Sequence, residues 1–222
     1  MDWTALNLSL RLGLWTLLFL MPLGIVVSRL LAYRTFPGKS VVEALLTLPL
    51  VLPPTVLGYY LLVSFGSDSP AGGLFEAFAG KTLAFSFEGL LLASILINLP
   101  FAVQPAQRAF EGIPRDIREA AACCGMPPWK VIARIELPLA WPGIITAMVL
   151  TFAHTLGEFG VVLMVGGNIP GETKTIAIAI YDRVQAFDLS SASVMSLFLL
   201  AFSLITIALT YMLSNRFNQR HG

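Results

Sequence analysis

Charge is scarce in this sequence. Asp, Glu, Lys and Arg make up 12% of its 222 residues, about half the share of an ordinary soluble domain. A soluble chain of this length has too much surface to cover with so few charges, so lipid is the expected solvent. The net charge of +1 supplies no basic footprint for nucleic acid. Cysteine is almost absent. Cys123 and Cys124 are adjacent and suit neither a disulfide nor a zinc set; they read as small apolar helix residues. Hydrolase motifs are missing too, with no HExxH, no GxSxG, and histidine only at positions 154 and 221. A membrane enzyme is therefore disfavoured, and a receptor lacks a soluble sensing domain. No catalytic residue, metal ligand or cofactor is expected. Gly38-Lys39-Ser40 resembles the end of a phosphate-binding loop, but that loop needs a glycine where Tyr33 stands, and no strand precedes it. The chain is not itself an ATPase.

Long apolar runs are abundant. Charge-free segments cover 12–28, 44–67, 89–107, 137–157 and 189–215. Each is close to the ~20 residues that cross a bilayer as a helix, and in lipid the backbone must satisfy its own hydrogen bonds. The alternation of an outer-membrane barrel is absent. The expected fold is all-α: a single membrane domain over 1–222, with five spans at roughly 12–32, 44–66, 88–108, 138–165 and 189–214. With the N-terminus outside, the inner segments hold Arg29, Arg34, Lys39, Arg108, Arg115, Arg118, Lys130, Arg134, Arg216 and Arg220. The outer ones hold Arg11, Lys81, Lys174 and Arg183. That asymmetry obeys the positive-inside rule and puts the C-terminal tail, NRFNQRHG, in the cytoplasm. The N-terminus has no basic n-region, so no cleaved signal peptide is expected.

Several spans carry interruptions. Pro22 and Gly24 predict a bend in the first. Pro49, Pro53 and Pro54 remove backbone donors from the second, which is either a kinked packing helix or a pore-lining segment. Asn98, Gln104 and Gln107 in the third suit a wet face or bonds between helices. In the fourth, His154 and Glu158 lie four apart and share one face. Ionisable groups there mark a pathway, a paired structural site, or, for Glu158, a cap near the outer interface. The outer segment that follows spaces Ile176, Ile180, Val184 and Phe187 as an amphipathic helix at the interface or on other helices.

A polar island, 111–136, interrupts the apolar runs. Pro114 suits the first turn of a helix, Asp116 suits its positive end, and Gly125 suits a left-handed cap, with Pro127 and Pro128 blocking continuation. A second helix, WKVIARIELP, leads into the fourth span. The island reads as two short helices at a sharp cytoplasmic corner, able to insert into a groove on another protein or to rest on headgroups.

Its residues also carry a resemblance. Glu119-Ala120-Ala121, three residues, Gly125, nine residues, Ile135, one residue and Leu137-Pro138 match the EAA motif of ABC-importer permeases. FPGKS at 36–40, LPLVLPPTVLGYYLLVSFG at 48–66, LGEFG at 156–160 and NIPGETKTI at 168–176 are similar to the molybdate permeases of that group; the GEF element is shared with sulfate permeases. The resemblance implies the type I importer fold and a place in a prokaryotic cytoplasmic (inner) membrane. It also implies a second copy of the chain, separate ATP-binding cassette ATPase subunits and an external oxyanion-binding protein as partners. Glu119, Ala120, Ala121 and Gly125 would dock into the ATPase, while Pro53, Pro54, Asn98, His154 and Glu158 are candidates for the translocation path or gate. Many such permeases carry arginine at the position of His154; a histidine offers a weaker, pH-dependent charge. Molybdate is the expected solute, with sulfate, tungstate or another small solute as the alternative.

Overall fold

A computed structural model describes residues 1–221, with side chains through Ala208 and at Met212. The side chains of Arg216 and Arg220 in the tail, placed inside by the charge pattern, lie outside the described residues. Every regular element among the described residues is helical.

Helix α1 (Trp3–Tyr33) starts at Asp2, whose carboxylate accepts from the Ala5 N–H at 3.0 Å. Pro22 sits within this helix without ending it. Four residues past Gly24, the Ser28 hydroxyl lies within hydrogen-bonding distance of the Gly24 carbonyl (2.6 Å) and the Val103 carbonyl (2.9 Å), tying α1 to a neighbouring helix. Where one run was expected over 44–66, two helices stand, α2 (Lys39–Val51) and α3 (Pro54–Phe65), bent by 110°. Leu52 and Pro53 are extended at the corner. Pro54 then opens α3, at a position where a missing donor costs nothing.

After α4 (Pro70–Ala79), α5 (Phe87–Glu111) begins at Ser86, whose hydroxyl accepts from the Gly89 N–H. It is the central helix and packs most extensively on α1 and on α8 (Leu137–Gly157). Helices α6 (Arg115–Cys123) and α7 (Pro128–Val131) form the corner of the polar island, and a π-helical turn, Ile132–Glu136, joins α7 to α8. The chain finishes with α9 (Gly160–Gly166), α10 (Ile176–Gln185) and α11 (Leu189–His221).

The α1–α5–α8 core holds Leu20, Met21, Ala102, Ala106, Phe110, Ile144 and Ala147. Small residues set its spacing, as packing in lipid favours. A Cβ on Gly143 would fall 2.4 Å from Ala109 Cβ and 2.8 Å from the Pro105 carbonyl oxygen. The periphery is apolar and open: α2 buries no residue, and Tyr60, Val63, Leu197, Leu204 and Ile205 are exposed. Among the described residues, four helices are long and apolar enough to cross a membrane, or up to five if the α2–α3 pair is one span. Exposed apolar surface on this scale belongs in lipid or against a partner.

Helix α10 departs from its expected stripe. Of Ile176, Ile180, Val184 and Phe187, only Ile176 is buried, and Phe187 is 89% exposed. Ile178 and Ala179 are buried instead. The helix packs on α1 and α11, its first N–H donates to Ser9 of α1 at 2.8 Å, and Ile178 reaches a cluster with Leu12, Leu90 and Val162. Covered on two sides, it has no single apolar face.

Candidate functional site

Two broken helices meet beside the core. Helix α8 ends at Gly157, Glu158 turns extended, and α9 begins at Gly160. One Glu158 oxygen accepts from the Val161 N–H at 2.9 Å, an N-terminal cap of α9. The other lies 3.8 Å from His154 Nε2. The first residue of α9 sits against the first residue of α3: a Cβ on Gly160 would stand 2.7 Å from Pro54 Cβ. One helical turn along α3, a Cβ on Gly58 would stand 2.8 Å from Met164 Cβ. Two prolines and two glycines therefore bring the α2–α3 corner onto the α8–α9 break.

Behind this junction runs a chain of buried polar groups. Thr16 donates to Ser94 at 2.9 Å. The Asn98 amide nitrogen donates to the Ser94 carbonyl at 2.8 Å and to the Thr155 hydroxyl at 3.1 Å. A carbonyl can only accept, which fixes the amide orientation. Asn98 Oδ1 therefore faces His154 Nδ1, at 3.1 Å, and that nitrogen must carry a hydrogen. In the neutral ring, Nε2 keeps the lone pair turned toward Glu158. Phe101 packs on the imidazole at 4.3 Å between centroids. Asn98 is fully buried and holds the histidine ring from behind. Gln104 and Gln107 bond to Thr47 and Glu43 of α2, the polar ties of a helix that buries nothing. Asn98, His154 and Glu158 are thus brought together, with Pro54 at the adjoining junction and Pro53 at its corner.

The polar island forms an elbow. Pro114 precedes α6 as its cap residue, one position before the expected first turn. At the other end Gly125 has φ +73°, and the Gly125 and Met126 N–H groups donate to the Ala122 and Ala121 carbonyls, closing the helix with a left-handed glycine. Glu119, Ala120 and Gly125 are exposed, whereas Ala121 is buried toward the rest of the chain. Trp129, 65% exposed, stands beside them. Tyr33, Arg34, Lys39, Arg115, Arg118 and Glu119 line a cleft of about 500 Å³ here.

Sequence reasoning missed Glu136. It occupies the unassigned position before Leu137-Pro138, yet its side chain is 1% exposed and bridges two arginines, Arg29 of α1 at 2.5 Å and Arg118 of α6 at 2.9 Å. The Arg118 guanidinium lies 3.6 Å from the Tyr33 ring centroid, and the Tyr33 hydroxyl donates to the Phe110 carbonyl at 3.0 Å. The available signal was a lone carboxylate at the root of an apolar run, on the side where basic residues gather.

An exposed elbow, a bundle of apolar helices and a paired helix break define a membrane transport subunit. The family described as binding-protein-dependent transport system inner membrane component matches residues 21–219, and the chain belongs to it as a multi-pass inner-membrane protein. The molybdenum transport system permease protein ModB of Azotobacter vinelandii is 44% identical over 95% of this chain and 93% of its own length. The ModB of Escherichia coli K12 is 39% identical over 100% and 97%, and the sulfate transport system permease CysT of that strain is 30% identical over 89% and 71%. Among solved structures, a bacterial ABC transporter that imports alginate matches with a TM-score of 0.77 at 19% identity, over 96% of this chain and 78% of that one. The methionine transporter MetNI, in inward-facing conformations, matches with a TM-score of 0.68 at 16% identity, over 97% and 93%. The shared fold is that of ABC-importer permease subunits.

Proposed function

We propose that this chain is the channel-forming permease of an ATP-driven molybdate importer, working as a homodimer. Two separate ATPase chains dock on the cytoplasmic elbow, and an external binding protein delivers the anion to the outer face. The N-terminus lies outside and the C-terminus in the cytoplasm, as the lysine and arginine distribution favours. The observation that carries the solute is the 44% identity to a molybdenum permease across 95% of the chain.

The geometry supports a mechanism. Exposed Glu119 offers a charge-assisted contact to the ATPase, and Gly125 makes the turn that presents it. From Leu137 to Gly157 the chain is one 21-residue helical rod, about 32 Å long at ~1.5 Å per residue. Movement of the elbow reaches the Glu158 break through that rod, and the α3–α9 contact passes it to the α2–α3 corner. Two discrete packings of this junction serve as closed and open gates. Specificity resides in the binding protein. The path needs only weak polar groups, His154 among them, because a deep arginine cluster would trap a dianion.

The test is uptake of labelled molybdate into vesicles holding the whole complex, with tungstate and sulfate as competitors. Molybdate uptake that needs ATP inside and resists excess sulfate supports the reading. Preferential sulfate uptake moves the chain to the second reading, a sulfate permease, which the similarity to CysT favours. Absence of a co-purifying ATPase overturns both.

A further inference from the structure

We propose that Glu136 is a positioning residue for energy coupling: by holding Arg118 and Arg29 at once, it makes the elbow, α1 and the root of α8 move as one body. This rests on the docking role of the elbow proposed above. A carboxylate at 1% exposure is held where it is by its partners, since an unpaired buried charge is not tolerated. Its partners come from sequence positions 107 and 18 residues away, so the carboxylate ties together three segments: α1, the elbow and the root of α8. Arg118 is one residue from Glu119 and is clamped twice, by Glu136 and by the Tyr33 ring. Tyr33 is tied in turn to the C-terminal end of α5 through Phe110. The backbone between the elbow and α8 passes through the turn at Gly125 and the π-helical segment Ile132–Glu136, a break in regular α-helix of the kind found at functional sites. A push on Glu119 would be lost there without a side-chain strut. Glu136, the last residue of that segment, supplies it.

The two arginines are each about 30% exposed (29% and 30%), so they reach water when the carboxylate is neutralised, and Glu136→Gln should fold. Arg118→Gln is the sharper variant, because Glu136 stays paired with Arg29 and only the link to the elbow is cut. The experiment uses the reconstituted importer with its ATPase and binding protein, and reads molybdate moved per ATP hydrolysed. In Glu136→Gln, assembly and basal ATP hydrolysis should stay within about twofold of wild type, while the transport ratio falls about tenfold. Arg118→Gln should lower the ratio similarly, and the double variant should be no worse than either single one, as for two partners of one interaction. A merely structural role would lower the thermal midpoint and leave the ratio unchanged. An unchanged ratio in Arg118→Gln, or additive losses in the double variant, overturns the proposal. If the wild-type chain fails to bind an ATPase, the docking reading has failed instead.

Discussion

His154 and Asn98 are locked at 3.1 Å in a single sense: the histidine donates through Nδ1 and the amide oxygen accepts. The direction is set two bonds away, by a Ser94 carbonyl that can only accept. Asn98→Leu removes both functions. It should leave His154 Nδ1 without its acceptor, at a cost of about 1–3 kcal/mol in stability, and free the ring to change tautomer. Molybdate uptake should fall about tenfold while ATPase co-purification persists. Unchanged uptake in a folded variant would remove Asn98 and His154 from the gate.

Glu158 has two roles that substitutions can separate. Its acceptor oxygen caps α9 at Val161, and its charge faces His154. Glu158→Gln keeps an acceptor and loses the charge; Glu158→Ala loses both. A cap is worth ~1 kcal/mol, so the alanine variant should melt earlier than the glutamine one. Transport separates the roles differently. If the charge shapes the gate, both variants lose uptake with ATPase binding intact, and wild-type uptake in Glu158→Gln would leave only the cap.

Close approach at the gate rests on Gly160. Its missing side chain is what lets α9 meet Pro54, since a Cβ there would stand 2.7 Å from Pro54 Cβ. Gly160→Ala should force α3 and α9 apart at a cost of about 1–3 kcal/mol. Gly157→Ala is the control, because a Cβ there meets nothing within 4 Å. Thermal unfolding of the two variants in detergent should differ accordingly, and equal midpoints would contradict the contact.

The sequence discloses these features unevenly, for physical reasons. The corner at Leu52–Pro53 is legible because consecutive prolines withdraw donors locally, and the elbow because Gly125 and Pro127-Pro128 are local stop signals. The all-helical fold follows from run length alone. Glu136 is different, since its meaning depends on Arg29, 107 positions away, and no local pattern encodes a tertiary ion pair. The face of α10 is also hidden. Periodicity indicates one buried stripe, but contact with α1, α11 and the Leu12 cluster covers two sides, so Ile178 is buried where Val184 was expected. The Pro54–Gly160 meeting is hidden too, since each break can be read alone while their apposition needs the fold.

Glu119 tests the docking surface directly. It is exposed, so Glu119→Lys should leave stability within about 0.5 kcal/mol and membrane insertion intact. Reversing the charge at the docking helix should nonetheless cut uptake at least tenfold, and in the wild type ATPase co-purification should weaken as salt is raised, as for an exposed charge contact. Wild-type coupling in this variant would exclude Glu119 from the contact.

The NIPGETKT loop carries a pH-dependent anchor. Asp182 of α10 accepts from Lys174 at 2.6 Å and from Asn168 at 2.9 Å. Burial raises its carboxyl, but the Lys174 and Asn168 bonds and the charges of Lys174 and Arg183 outweigh it and hold the group below its ordinary value. The folded form thus binds its proton less readily than the unfolded chain. The contribution is complete above the unfolded value of about 3.9 and is lost as pH falls through the lower folded value. Asp182→Asn removes it at every pH. Wild type should therefore exceed this variant in thermal stability at pH 7, by no more than ~1 kcal/mol for a partly exposed pair, and the gap should close as pH falls below the lowered folded value. Melting both proteins in detergent across that range decides the matter: a gap that persists in acid means the side chain acts through packing, and the loop has no electrostatic anchor.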